Sequence, residues 1–232
     1  MAFQGYTQQT VDFMWGIRFN NERGWFMEHK DDYINTFLTP TRELGEQVYD
    51  AVHALLPDEP LMLKVSRIYR DARRLFGRGP YKDHLWWCIR TGDKDWTGRP
   101  TFWFELGPDY YSFGLGFWSP AAALMETYRK QIDQHPEELS KLVRQFNKQS
   151  VFTLDGPEYA RSKGQTSDLL RPWYQKKSLS LRWEGPLDER IFSPDLAQDI
   201  IDGFKTLIPF YHYFNKLVAL TPRQERGGGE DA

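Results

Sequence analysis

Leu85-Trp86-Trp87-Cys88-Ile89-Arg90-Thr91-Gly92-Asp93, followed by Thr101-Phe102-Trp103-Phe104-Glu105-Leu106-Gly107-Pro108-Asp109-Tyr110-Tyr111-Ser112-Phe113-Gly114-Leu115-Gly116-Phe117, decides the fold. Leu85, Trp87 and Ile89 alternate with other residues, then Phe102, Phe104 and Leu106, then Tyr111, Phe113, Leu115 and Phe117. A period of two is what a strand with one buried face produces, and Gly92-Asp93 and Gly107-Pro108-Asp109 supply the turns between segments. Parallel neighbours need a crossover of about a dozen residues or more, usually a helix, and nothing helical separates these segments. An antiparallel meander is therefore expected. Leu61, Leu63 and Val65 add a strand upstream, and Leu179, Leu181 and Trp183 within residues 178–183 add a fifth. Gly114 and Gly116 alternate inside one strand and leave a bare face for close approach, with a tryptophan the expected neighbour.

The flanks read as helices. Residues 7–19 carry Val11, Met14, Trp15 and Ile17 at helical spacing and stop at Asn20-Asn21, where Asn21 is expected to cap a second helix from Glu22 to about Asn35. Thr39-Pro40 pairs a capping hydroxyl with proline at the first helical position, and Leu44, Val48, Ala51, Val52 and Leu55 then fall on one face up to Pro57. Ser119-Pro120 repeats that start signal, His135-Pro136 breaks the helix, and Leu139, Leu142, Val143 and Phe146 mark another. Residues 155–176 read as loop. Ser193-Pro194 opens a last long helix with Pro209 inside it, a position expected to kink or divide it. The fold class is α+β: a mainly antiparallel sheet of about five strands with helices packed against it. One domain over residues 1–220 and a disordered tail over 221–232 are expected.

Composition narrows the function classes. A hydrophobic content of 40% with 16% aromatics over 232 residues suffices for a packed, ring-rich core. A formal charge of −2 and a pI near 6.2 argue against a nucleic-acid coating protein, whose domain pI usually exceeds about 9. Cys88 is the only cysteine, which excludes an intrachain disulfide and a Cys-based zinc site. The histidines at 29, 53, 84, 135 and 212 include no i, i+4 pair and no His-Glu-x-x-His, so no metal site is expected. Gly114-Leu115-Gly116 lacks the third glycine of a dinucleotide fingerprint, no phosphate-loop or Gly-x-Ser-x-Gly pattern occurs, and no cofactor is expected. The first residues lack the basic-then-apolar pattern of a signal peptide, and no apolar run approaches the ~18 residues of a membrane span. A cytoplasmic protein without a membrane partner is the expectation; the oligomeric state stays open.

One segment departs from the overall charge. Lys64 to Lys82 holds seven Lys/Arg and one Asp, a local +6. Such an excess beside a Gly-Pro turn suits a small anionic partner, a phosphate or carboxylate. Gly77 and Gly79 permit positive φ, so backbone amides could converge there as well. The candidate ligand-binding residues are Arg70, Arg73, Arg78, Lys82 and Tyr81, with Asp71, Asn20, Asn21 and Trp25 as structural support. Arg70 and Asp71 have an alternative role, pairing with helix carboxylates to fasten sheet to helices. Trp25, Phe26 and Tyr33 read as core, and Cys88 as inert core. His84, two residues past Lys82, is the one histidine near the segment and the candidate general acid or base; its alternative is an exposed strand-end residue. An enzyme acting on a phosphorylated or carboxylated small molecule is the alternative function. A nucleic-acid module using the same arginines with Tyr69, Tyr81 and Trp86 is a third reading.

Three blocks resemble a known family. They are Asn20-Asn21-Glu22-Arg23-Gly24-Trp25-Phe26 with Lys30 and Tyr33; Arg67-Ile68-Tyr69-Arg70-Asp71-Ala72-Arg73 running on to Pro80-Tyr81-Lys82; and Tyr110-Tyr111 leading to Gly114, Gly116 and Pro120. In order and spacing, up to about Leu217, the chain resembles the uncharacterised conserved proteins of bacteria and fungi grouped as domain of unknown function 2461. The resemblance implies no established activity. The family usually carries Phe after the second-block arginine and a Ser-Lys-Asp-Lys run before the proline. Here Arg74 and Leu75-Phe76-Gly77-Arg78 stand in those places, so the loop's geometry is expected to differ from that of its relatives.

Overall fold

The structure, a computed structural model, describes residues 2–222. The expected tail at 221–232 lies, from residue 223 onward, outside them. The alternating segments form β1 (Leu61–Val65), β2 (Leu85–Thr91), β3 (Pro100–Leu106) and β4 (Tyr111–Phe117), with β5 (Thr153–Asp155) and β6 (Ser180–Gly185) completing a single sheet. Its order is β1-β2-β3-β4-β6-β5 and every pairing is antiparallel. The described residues thus hold six strands where about five were expected. The added one, β5, has three residues and pairs with β6 through Thr153 and Arg182, Leu154 and Leu181, and Asp155 and Ser180.

The helices are α1 (Gln8–Phe19), α2 (Arg23–Glu28), α3 (Lys30–Asp32), α4 (Thr39–Leu55), α5 (Ala122–Gln134), α6 (Pro136–Phe146), α7 (Arg171–Tyr174) and α8 (Asp195–Leu220). α4 packs on β1 and β2, α8 on β3 and β4, and α5 and α6 pack beside α8. The face they cover is the alternating one. Trp87 stacks on Phe104 at 5.4 Å, and Phe204 of α8 lies edge-on to Trp87 at 6.3 Å and 4.8 Å from Phe102. One continuous aromatic core results, and the molecule is a single α+β domain. Cys88 is buried at a strand position of the opposite face, where burial pushes its thiol up to about 11. α8 continues through Pro209 without division.

Two local readings change. Thr39-Pro40 does not open a helix: α3 runs through a π-helical turn (Tyr33–Leu38) straight into α4, and Leu38 already has helical φ and ψ. Proline has no N–H to give the carbonyl four residues back, which here is Thr36. The Thr10 hydroxyl of α1 donates to that carbonyl at 2.6 Å, and Thr10 is fully buried. At Gly114 and Gly116 the close neighbour is backbone rather than tryptophan. A Cβ at Gly114 would overlap the carbonyl oxygen of Leu181 in β6, and one at Gly116 that of Leu179 just before it. Among the described residues no helix is long and apolar enough to cross a membrane.

Candidate functional site

The basic segment is a loop clamped at its neck. Tyr69 and Tyr81 form an antiparallel bridge, with the Arg70 amide donating to Pro80 and the Lys82 amide to Ile68, both at 2.8 Å. The rings of Tyr69 and Tyr81 lie 5.4 Å apart, and Tyr81 stacks on Phe26 at 4.3 Å. Tyr81 is thereby 4% exposed, an anchor in the core. Asn21 secures it: its amide nitrogen donates to the Tyr81 carbonyl and its oxygen accepts the Tyr81 N–H, each at 2.9 Å. Gly79 makes room, since a Cβ there would overlap the Asn21 amide. Asn21 therefore caps no helix; Glu22 occupies the N-cap of α2. Asn20 closes α1, with both its backbone N–H and its side-chain amide bonded to the Gly16 carbonyl. Trp25 is half-buried and stacks on His29 at 4.0 Å.

Beyond the neck the cations separate into two groups. Arg73 is 87% exposed and forks onto Asp71, Nε to Oδ1 at 3.0 Å and Nη2 to Oδ2 at 2.8 Å. Asp71 also accepts the Arg73 amide and so caps the short 3-10 turn at Ala72–Arg74. Gly77 has φ +80°, as a tight turn requires. The Arg78 amide bonds the Leu75 carbonyl, and its exposed side chain reaches that same oxygen at 3.4 Å. The amides of Arg70, Arg73, Arg78, Tyr81 and Lys82 are all bonded within the protein, so side chains rather than these amides are left to meet an anion.

Arg70 and Lys82 form the second group. Arg70 Nε donates to the Tyr81 carbonyl at 2.8 Å, and Nη2 stands 4.0 Å from Asp83. Burial lowers the Arg70 pKa, Asp83 opposes this, and Arg78 lowers it further. Lys82 is half-buried with Nζ 5.5 Å from the centre of the Trp86 ring. Burial brings its pKa down to about 8, with Arg70 and Arg67 lowering it and Glu105 opposing. Arg70 therefore feels the charge of Arg78, Lys82 feels those of Arg70 and Arg67, and Arg73 turns aside to Asp71.

A polar network stands beside this group. His84 Nδ1 is 2.9 Å from Asp83 Oδ1, and Arg18 Nε donates to Asp83 Oδ2 at 2.7 Å and Nη1 to Asp109 at 3.2 Å. The His84 bond holds the Asp83 carboxyl far below the usual carboxylate range; burial opposes this and Arg18 adds to it. With Asp83 ionised, His84 Nδ1–H is the donor and Nε2 is the nitrogen turned to other partners. Trp86 and Glu105 are cross-strand partners on the face away from α4 and α8. The Tyr110 hydroxyl donates to Glu105, and burial followed by Glu105 raises the Tyr110 pKa.

Sequence reasoning missed Arg18, Asp83, Glu105 and Tyr110. Glu105 could have been placed by its outward position between Phe104 and Leu106, and Asp83 by its adjacency to His84. No local signal marks Arg18, which meets Asp83 across 65 residues. Among the described residues there is no group of three or more His, Cys, Asp or Glu side chains able to hold a metal ion.

A search of curated proteins finds no match to the chain. The family model described as "Conserved hypothetical protein (DUF2461)" matches residues 9–213, and the chain belongs to that family.

Proposed function

We propose that this protein binds a small or terminal anionic group, a phosphate or a carboxylate, at Arg70 and Lys82, with Arg78 contributing charge beside Arg70. The observation that carries the reading is the half-buried Lys82 ammonium beside Arg70, each lowered in pKa by burial and by neighbouring positive charge. An anion at this point would relieve both. Arg73, forked onto Asp71, would have to leave that carboxylate to take part; Tyr81 and Asp71 hold the loop behind, and a cytoplasmic setting belongs to the proposal. Titration with inorganic phosphate and with acetate at constant ionic strength, read by tryptophan fluorescence through Trp86, tests it. A charge-assisted hydrogen bond is worth roughly 1.5–3 kcal/mol, so Arg70→Ala or Lys82→Ala should weaken binding by about ten- to a hundredfold. Arg70→Lys should recover only part, since an ammonium lacks the guanidinium fork. Affinity unchanged in both alanine variants sinks the reading.

The Asp83–His84 pair favours one second reading, an enzyme acting on a phosphorylated or carboxylated small molecule. A histidine oriented by a carboxylate has the arrangement of a general acid or base. His84→Gln should then abolish turnover while leaving affinity intact. A nucleic-acid module is the remaining outcome: oligonucleotide binding that falls steeply with salt would identify it.

A further inference from the structure

The segment at 155–176 reads as loop, yet it holds the short helix α7 and organises a second cluster of charge. Its arms are stitched together by Tyr159 N–H to the Gln175 carbonyl at 3.0 Å, Lys177 N–H to the Pro157 carbonyl at 2.7 Å, and a bridge between Glu158 and Lys176. The Lys163 amide is held by Gln175 Oε1 at 3.3 Å. Three cations from three segments then converge on one ring. Lys163 Nζ lies 4.4 Å, Arg129 Cζ 5.1 Å and Lys177 Nζ 5.5 Å from the centre of Tyr159.

A ring offers two faces, so at least two of the three share one, and like charges held together repel. Among the described residues none of the three has a carboxylate partner, while their neighbours Lys176 and Arg171 are paired with Glu158 and Asp168. Arg129 adds a further deficit. Its Nη1 is enclosed and bonded to no acceptor, a state that disfavours the fold unless something accepts from it. Beside Tyr159 opens a groove of about 500 Å³ lined by Glu158, Ser162, Gln165, Thr166, Arg171 and Gln175, with Glu158 held by Lys176 and the three cations at its Tyr159 end rather than along its wall.

We propose that the cations about Tyr159 bind the phosphate group of a phosphorylated, hydroxyl-rich small molecule whose body lies in the adjoining groove. Two or more cations sharing one face of the ring match a dianion with three terminal oxygens better than a carboxylate with one charge and two oxygens. The groove is of a size that takes a small ligand, and its hydroxyl and amide lining suits hydroxyls on the body that bears the phosphate. The site shares no residue with the loop at 67–84.

The test is calorimetric titration of the full chain with inorganic phosphate, and with acetate as a control, at constant ionic strength. The variants are Lys163→Gln with Lys177→Gln, both exposed side chains, and separately Arg129→Gln. Either should weaken phosphate at one site about tenfold or more while acetate binding there is negligible. Lys82→Met separates this site from the one proposed above. Loss confined to the Lys163/Lys177 variant supports this site and removes the other; loss confined to Lys82→Met does the reverse. Two equivalents in the wild type, one lost in each variant, support both. Phosphate binding untouched by the Lys163/Lys177 variant overturns the proposal even if Arg129→Gln fails to fold. A single-stranded oligonucleotide that displaces phosphate with a steep salt dependence overturns the small-molecule assignment.

Discussion

Asn21 acts on the basic loop through two bonds to a single residue, and both would be lost on truncation. Asn21→Ala leaves the Tyr81 N–H and carbonyl without their partner at a neck that is mostly buried, a loss of about 2 kcal/mol. Urea denaturation should show that loss, whereas Asn20→Ala, which frees only a helix end, should cost about half as much; equal effects would remove the clamp. Lys82 makes a pH prediction. Its pKa falls from 10.5 when unfolded to about 8 when folded, so between those values the unfolded chain binds more protons and stability rises with pH. Below about pH 8 both states are charged and the folded protein bears the full burden of burying the ammonium. Lys82→Met should flatten the dependence of the urea midpoint on pH across that window. Parallel curves for wild type and variant would show that burial does not perturb Lys82.

At the scale of elements, the join between α3 and α4 depends on a side chain from α1. Pro40 deprives the Thr36 carbonyl of its helical donor, the Thr39 amide bonds Ile34 five residues back, and the Thr10 hydroxyl fills the gap. Thr10→Val should therefore cost about 1–2 kcal/mol. In a Pro40→Ala background, where residue 40 regains an N–H for Thr36, that cost should shrink by about 0.5 kcal/mol or more in a double-mutant cycle. An unchanged cost would mean the hydroxyl serves some other purpose. The same join shows what sequence can convey. β1 to β4 and β6 were legible because one-sided burial writes a period of two, and α4 and α8 because their apolar faces recur at helical spacing. β5 was not, because three residues are too few for alternation to register. Pro40 read as a helix start because its local signal is the same in both cases; only Thr10, 26 residues before Thr36, distinguishes them. Lys82 and His84 were legible as charge next to a turn, whereas Arg18 and Tyr110 reach the site only through folding. Tyr159 was hidden altogether, because Arg129 comes to it from α5.

Across the whole molecule, the sheet is continuous because β4 and β6 approach at two bare positions. That seam joins the β1–β4 meander to the β5–β6 hairpin-like pair, so the site on β2 and β3 and the loop leading into β6 share one scaffold. Gly114 is the sharper probe of it. A Cβ there would overlap the Leu181 carbonyl oxygen, and backbone in the middle of a sheet has nowhere to go. Gly114→Ala should cost about 3 kcal/mol, the upper end of overpacking, with loss of cooperativity between the two parts of the sheet. Gly24 gives the opposite expectation under the same substitution. It lies exposed in α2 with nothing within 4 Å of a Cβ and no positive φ, so alanine there reduces only the freedom of the unfolded chain. Gly24→Ala should stabilise by about 0.5–1 kcal/mol. The pair is read by urea denaturation monitored with both far-ultraviolet circular dichroism and tryptophan fluorescence. Opposite signs with coincident transitions for Gly24→Ala, and separated transitions for Gly114→Ala, are the expected result. A Gly114→Ala protein as stable and as cooperative as the wild type would mean that the two strands do not meet as closely as the seam requires.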